Sequence, residues 1–291
     1  MTGMIRTITI TCFALLAPFA VAVDQPRADT PWTNSLGMVF VPAGATNVLF
    51  GIWETRNQDF AAFVNETKYD ATANAFSLGR DGWKNRHDTW LNPGFATGLK
   101  NPVSAVSWDD ARAFCAWLTK KEQAAGRLRT NQWYRLPTDA EWSLAVGLGP
   151  ETGKTPKDKS EKIPDVYPWA NLWPPPPNAG NFAGVESKPG TPTDWQVIPD
   201  YDDGFPRTAP VGSFASNQFG LFDLAGNVWE WCEDLADPAA AWQGRCLRGG
   251  SWANYEPSSL LSSCRVCSPA GMRRTCNGFR CVLVVTGPPC R

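Results

Sequence analysis

Met38-Val39-Phe40-Val41 is an unbroken run of apolar, β-favouring residues, and it predicts a short strand at the opening of the folded body. Glu54 to Asn65 carries Phe60 and Phe63 at helical spacing, which predicts a helix with both rings turned inward. Residues from about 66 to 100 show little periodicity and are rich in Gly, Asn and Trp, so they read as loop. Ser107 and Asp110 stand as in a capping box. Trp108, Ala111, Phe114, Cys115 and Leu118 then fall on one helical face, with Gly126 as a natural stop. Thr138 and Glu141 repeat the capping arrangement ahead of Trp142, Ala145 and Val146. The stretch 147–198 holds a charged run, Lys154 to Lys162, and four consecutive prolines from Pro174. It reads as a long surface excursion with polyproline character. From Val211 the chain is dense in Gly, Trp and short β-like runs. Val228 to Cys232 and Cys246 to Gly249 read as neighbouring strands, and Gly278 to Val285 as the last strand. No internal repeat is visible. The expected fold class is α+β, one irregular domain of short strands and a few helices.

Composition narrows the partners. The chain has 291 residues, 19% of them charged, with a formal net charge of −1. A nucleic acid or an anionic membrane needs a basic face, and none is available here. Gly and Pro at 25 each and Trp at 15 suit turns and loops pinned by large aromatic rings.

The N-terminus reads as an export signal. Arg6 precedes the largely apolar run Ile8 to Val21, and Ala20-Val21-Ala22 supplies a small-x-small cleavage pattern. The run is short against the roughly 20 residues of a membrane span, although an uncleaved anchor is the alternative. The expected organisation is a signal peptide at 1–22, a linker at 23–33, a domain at 34–286 and a tail at 287–291, in a secreted or periplasmic protein. Of nine cysteines, eight remain after Cys12 leaves with the signal. An even number in an oxidising compartment makes disulfides the expected fate. Cys232 with Cys246, across the expected strand pair, is one candidate bridge. Cys264, Cys267, Cys276 and Cys281 lie close enough in the chain to leave a zinc site or a redox pair as alternatives. His87 is the one histidine, so a hydrolytic triad or a histidine-bound iron has almost nothing to build on.

Five stretches in order carry a family resemblance. They are Asn101-Pro102-Val103 with Val106-Ser107-Trp108; Tyr134 to Trp142; Gly220-Leu221-Phe222-Asp223 running into Gly226 to Trp231; Arg248-Gly249-Gly250-Ser251-Trp252; and Gly278-Phe279-Arg280-Cys281. Together they resemble the sulfatase-modifying-factor, or formylglycine-generating-enzyme, superfamily. The resemblance implies a variant of the C-type lectin-like fold and a Cys115–Cys281 disulfide. It also implies two calcium sites, the first from Asn181, the Phe182 carbonyl, Asp203 and the Phe205 carbonyl. The second takes Asp223, the Gly226 and Val228 carbonyls and Glu230. Hard oxygen donors of this kind suit calcium, while a solvated acidic turn is the plainer account of Asp200, Asp202 and Asp203.

The enzymes of that superfamily oxidise a substrate cysteine with copper on two thiolates, and soft thiolates select copper(I). Asn254 and Ser259 occupy the two matching positions, so copper is not expected and no catalytic residue is assigned. Two functions remain. One is a calcium-stabilised binding or structural module with an unknown protein, peptide or glycan ligand. Trp252, Asn254, Tyr255, Glu256, Arg265 and Arg273 would line its recognition surface. The other is an oxidase making formylglycine on an exported sulfatase, or another oxidoreductase of the same superfamily. The tryptophans at 229, 231 and 252 serve either as core or as the lining of a groove.

Overall fold

The structure, a computed structural model, describes residues 25–44 and 47–285. The expected signal peptide, the tail, Cys12 and Cys290 lie outside the described residues. Two sheets share the core. The first has five strands in the order β1 (Trp32–Thr33), β2 (Val39–Pro42), β3 (Val48–Gly51), β11 (Val282–Val285) and β6 (Gln132–Arg135). All its neighbours run antiparallel. The second has the order β10 (Asn277–Gly278), β7 (Trp229–Leu235), β8 (Arg245–Arg248) and β9 (Val266–Ser268). A hairpin of β4 (Phe76–Gly79) and β5 (Gly82–Asn85) stands apart. Among the described residues no helix is long and apolar enough to cross a membrane.

Among the described residues, four α-helices, α1 (Asn57–Thr67), α2 (Trp108–Ala124), α3 (Asp139–Val146) and the short α4 (Pro156–Lys159), and two 3-10 turns, Val185–Ser187 and Pro257–Leu260, complete the regular structure. The two expected capping boxes form. Ser107 Oγ accepts the Asp110 N–H at 3.1 Å while Asp110 Oδ2 accepts the Ser107 N–H at 2.8 Å. Thr138 and Glu141 reciprocate in the same way, satisfying N–H groups that a helix start otherwise leaves without partners. The inward face of α2 is as expected, with Trp108, Ala111, Phe114, Cys115 and Leu118 buried. Phe60, Phe63, Phe114 and Phe279 meet edge-on or stacked at 5.4 to 6.4 Å. Burying a ring of this size stabilises the fold by about 1.5–3 kcal/mol, so this cluster anchors both helices to the chain's last segment.

Four expectations are corrected. Helix α1 starts at Asn57, because the Thr55 N–H and C=O are spent on Phe279 O and the Val103 N–H. The stretch 66–100 is not all loop, since β4 and β5 pair across a tight turn with Gly82 at φ +86°. The expected linker 23–33 contains β1, whose Trp32 is buried against the core. The single last strand is two, because the chain leaves one sheet at Gly278 and enters the other at Val282. Arg280 fixes that crossing: its guanidinium donates to the carbonyls of Gly51 and Phe222 and to Glu230. A Cβ on Gly278 would sit 2.5 Å from Val103 O, so the crossing needs glycine there.

Candidate functional site

The strand β8 ends in the pair Gly249 and Gly250, at φ +96° and +77°. Only glycine holds such angles in succession without strain, and a Cβ on Gly250 would strike Leu260 at 2.6 Å. This kink delivers Ser251 into the interior, fully buried. Ser251 Oγ donates to Asn254 Oδ1 at 2.8 Å, and the Asn254 carbonyl accepts the Ala183 N–H at 3.0 Å. Ser259 Oγ donates to the Glu256 carbonyl at 2.9 Å. The two positions matching the copper thiolates are thus an amide and a hydroxyl engaged in local turn bonds, and this donor set does not fit copper(I). Cys276 reaches Ser251 from elsewhere in the chain through a side-chain hydrogen bond, and burial pushes its thiol up to about 12. It arrives as a single thiol.

The expected recognition surface divides. Trp252 is a core residue, 1% exposed, with Nε1 donating to Thr275 O at 3.2 Å. Trp83, Phe95 and Arg207 cover its ring at 6.0, 5.8 and 4.7 Å. Arg265 is also buried. Its guanidinium is shared between Asp139 at 2.9 and 3.1 Å and Glu151 at 2.6 and 2.7 Å. Arg273 makes two 2.8 Å bonds to Asp110 at the start of α2. Trp252 and Arg265 are corrected from ligand contacts to buried structural roles, while Arg273 is half-buried and tied to the start of α2. Asn254 and Tyr255 are half-buried and Glu256 is exposed. Trp229 and Trp231 are buried as well, so those tryptophans are core.

Around the first expected calcium set, Asn181 is fully buried, its Nδ2 donating to Asp203 Oδ1 at 3.1 Å and Phe205 O at 3.0 Å. Its own Oδ1 is buried with no partner. Exchanging the two ends of the amide turns three oxygens toward one point, an arrangement that suits a hard cation. Burial pushes Asp203 up to about 6, and its Oδ2 accepts the Phe182 N–H. The Phe182 carbonyl accepts the Gly184 N–H at 2.9 Å. Glu186 stands beside them, both carboxylate oxygens buried and unpartnered. Burial, with repulsion from Asp203 and Asp202, pushes it up to about 7.

The second set adjoins the first, since the Asn227 N–H donates to Asn181 O and Asn181 bridges to Gly226. Gly226 has φ +78°, and a Cβ there would lie 2.1 Å from Asn181 O. Asp223 Oδ2 accepts the Gly212 N–H at 2.6 Å, while its Oδ1 is buried without a partner. Burial pushes Asp223 up to about 6. Glu230 is held by Arg280 at 2.5 and 2.7 Å and by Trp142 Nε1 at 3.0 Å. Glu54, fully buried, accepts the Val228 N–H and Asn227 Nδ2. Burial, then repulsion from Asp223 and Glu230, raises it well above the ordinary carboxylate range. Three carboxylates therefore crowd one guanidinium. Among the described residues no three His, Cys, Asp or Glu side chains are arranged to hold a metal, so any cation here relies on amide and carbonyl oxygens too. The four clustered thiols do not gather either: Cys267 is exposed, and Cys281 faces Cys115. His87 is exposed, near Asn74. Sequence reasoning gave no role to Glu54 or Glu186, which carry no local signal.

The family description "Sulfatase-modifying factor enzyme 1-like domain" matches residues 49–285. The chain belongs to the sulfatase-modifying factor family. Relatives carry both active and inactive names. The bovine (Bos taurus) protein "Inactive C-alpha-formylglycine-generating enzyme 2" is 31% identical over 270 residues, 82% of this chain and 77% of that one. A "Formylglycine-generating enzyme" of Thermomonospora curvata is 31% identical over 203 residues, 62% and 55% of the respective chains. PvdO from Pseudomonas aeruginosa superposes with a TM-score of 0.53 at 21% identity, covering 86% of this chain and 82% of its own. Treponema denticola variable protein 1 gives 0.54 at 20%, covering 88% and 99%. At those identities the likeness is one of fold, the formylglycine-generating-enzyme-like fold of this sulfatase-modifying factor domain.

Proposed function

We propose that this sulfatase-modifying factor domain is a non-catalytic variant, an exported binding or structural module braced by calcium. The observation that carries it is the amide of Asn254 and the hydroxyl of Ser259 at the thiolate positions, each spent on a neighbouring residue. Without a pair of sulfurs the scaffold has no seat for the metal that activates oxygen, and the relatives named inactive are in keeping with that. Asn181, Asp203 and the Phe182 and Phe205 carbonyls would hold one calcium ion. Asp223, Glu230 and the Gly226 and Val228 carbonyls would hold the second. The unpartnered Asn181 Oδ1 and Asp223 Oδ1 support both assignments. Calcium supplies cross-linking between loops here, and no step of chemistry is routed through it.

The test is a copper(I) titration of the purified protein, with peptide mass spectrometry on a sulfatase-derived cysteine peptide. Neither tight copper binding nor conversion of cysteine to aldehyde is expected, and finding both would overturn the reading.

Export also implies disulfides. Cys115 and Cys281 face each other as buried thiols with Sγ atoms 3.5 Å apart, tying α2 to the segment before β11. Cys232 and Cys246 share a sulfur hydrogen bond across β7 and β8. Mass mapping of unreduced protein from an oxidising compartment is expected to find both bridges. Reduction is then expected to cost about 2–5 kcal/mol of stability for the long-loop Cys115–Cys281 bridge; recovery of all four as free thiols would refute the export argument.

A further inference from the structure

Arg207 is a cation without a counter-ion. Its Nη1 donates to the carbonyls of Pro206 and Ser187 at 2.5 and 3.3 Å. No carboxylate comes within ion-pair distance of it among the described residues, whereas most arginines of this chain have one. The guanidinium lies 4.7 Å above the buried Trp252 ring. Desolvating a charge that no carboxylate meets is unfavourable, and two carbonyls and the Trp252 ring offset only part of that cost.

The same guanidinium lines a cleft of about 530 Å³, and Arg86, Leu78 and Phe95 are among its other walls. Arg86 is partly spent: its Nη2 pairs with Asp81. Its Nε, however, is buried with no acceptor. Asp88 is the one carboxylate in the wall, and it accepts the Ser77 hydroxyl. Gly190 borders both this cleft and a neighbouring one lined by Arg80 and Lys188, and neither of those two is ion-paired among the described residues. The walls therefore combine an unsatisfied N–H donor, two guanidiniums against one carboxylate, and apolar side chains.

We propose that this cleft binds an organic anion, a carboxylate whose charged end lies against Arg207 and Arg86 and whose apolar body rests on Phe95 and Leu78. A carboxylate accepts from two guanidinium edges at once and supplies the missing charge. The aromatic and aliphatic walls reward a ligand with a hydrophobic part, which a bare inorganic ion lacks. The inference rests on the binding-module reading for its biological sense, and it adds the ligand class. The cleft includes neither Asn254 nor Ser259 and none of the calcium set.

Calorimetric titration of the mature chain, at saturating calcium and constant ionic strength, tests this with three small probes. Phenylacetate is expected to bind saturably, on the order of millimolar for so small a ligand. Phenylacetamide has the same shape without the charge, and acetate has the charge without the ring; both are expected to bind at least about tenfold more weakly. Arg207→Met is expected to raise the thermal midpoint of the unliganded protein and to abolish phenylacetate binding, with Arg207→Lys retaining part of it. Equal binding of phenylacetate and phenylacetamide overturns the proposal, and so does the absence of saturable phenylacetate binding. Phenylacetate binding unchanged in a folded Arg207→Met variant overturns it as well. The probe comparison on the unsubstituted chain needs no variant to fold. Because calcium is saturating throughout, failure of the calcium reading shows in the stability scans of a chelated sample and not in these titrations.

Discussion

With a calcium chelator present, the midpoint of thermal unfolding is expected to fall as pH rises from about 4.5 to about 7.5, and saturating calcium is expected to reduce that fall. The cause is five carboxyl groups that burial makes reluctant to ionise, one of them Asp234, which accepts the Asp139 N–H. Asp203 and Asp223 titrate at about 6 against an ordinary 3.8, and Glu186 at about 7 against 4.5. Glu54 is raised well above the ordinary carboxylate range by burial and by its acidic neighbours. A raised acid holds its proton in the folded chain at a pH where the unfolded chain has lost it. Its contribution is fully present below about pH 4 and disappears as pH climbs through the folded value. For Asp203 and Asp223 the displacement corresponds to roughly 3 kcal/mol each. The window must stay above pH 4.5, because Asp139, Glu141 and Glu151 are lowered and act in the opposite sense in acid. Calcium prefers the ionised oxygens, so it displaces the protons and removes the penalty on losing them. Calorimetric scans in chelator and in calcium across the window decide it. Equal slopes in the two series would mean that no cation is held by these carboxylates.

What sequence could and could not show follows from the range of the interactions. Capping boxes span three residues, so Ser107 with Asp110 and Thr138 with Glu141 were readable as text. So was the inward stripe of α2, because helical spacing alone assigns it. The hairpin of β4 and β5 escaped because Phe76-Ser77-Leu78-Gly79 and Gly82-Trp83-Lys84-Asn85 are short and carry two glycines. The split of the last strand depends on Arg280 reaching Glu230, fifty residues back. Arg265 illustrates the limit most clearly. Arginine is ordinarily a surface residue, and nothing near it in the chain announces Asp139 and Glu151, 126 and 114 residues away. For the two proposed calcium sets, the family resemblance pointed to Asn181, Asp203, Asp223 and Glu230. Glu54 joins them across 174 residues and had no local signature.

Replacing Asp139 with alanine is expected to destabilise the fold by about 3–5 kcal/mol. The carboxylate is buried between two guanidiniums: Arg248 at 2.5 Å and Arg265 at 2.9 Å both reach Oδ1. Lys159 stands 3.9 Å from Oδ2. Burial works against the charge on Asp139, but Arg248 and Arg265 outweigh it, and its pKa falls below the ordinary value. Arg248 has nowhere else to put its charge. Its remaining acceptors are carbonyls and Ser143 Oγ, and its other face lies 4.3 Å over Trp142. Removing the acid therefore strands a buried cation beside the kink that places Ser251. Glu141→Ala is the internal comparison, because it also breaks an arginine pair and a helix cap, yet Arg135 and Glu141 are partly exposed. Water can take up that charge, so a loss of only about 1–2 kcal/mol is expected there. Denaturant unfolding of both variants, compared at unchanged slope, measures the difference. If Asp139→Ala costs no more than Glu141→Ala, the buried network is not what holds β8 against α3. The two predicted losses differ because one charge pair is sealed from solvent and the other is not.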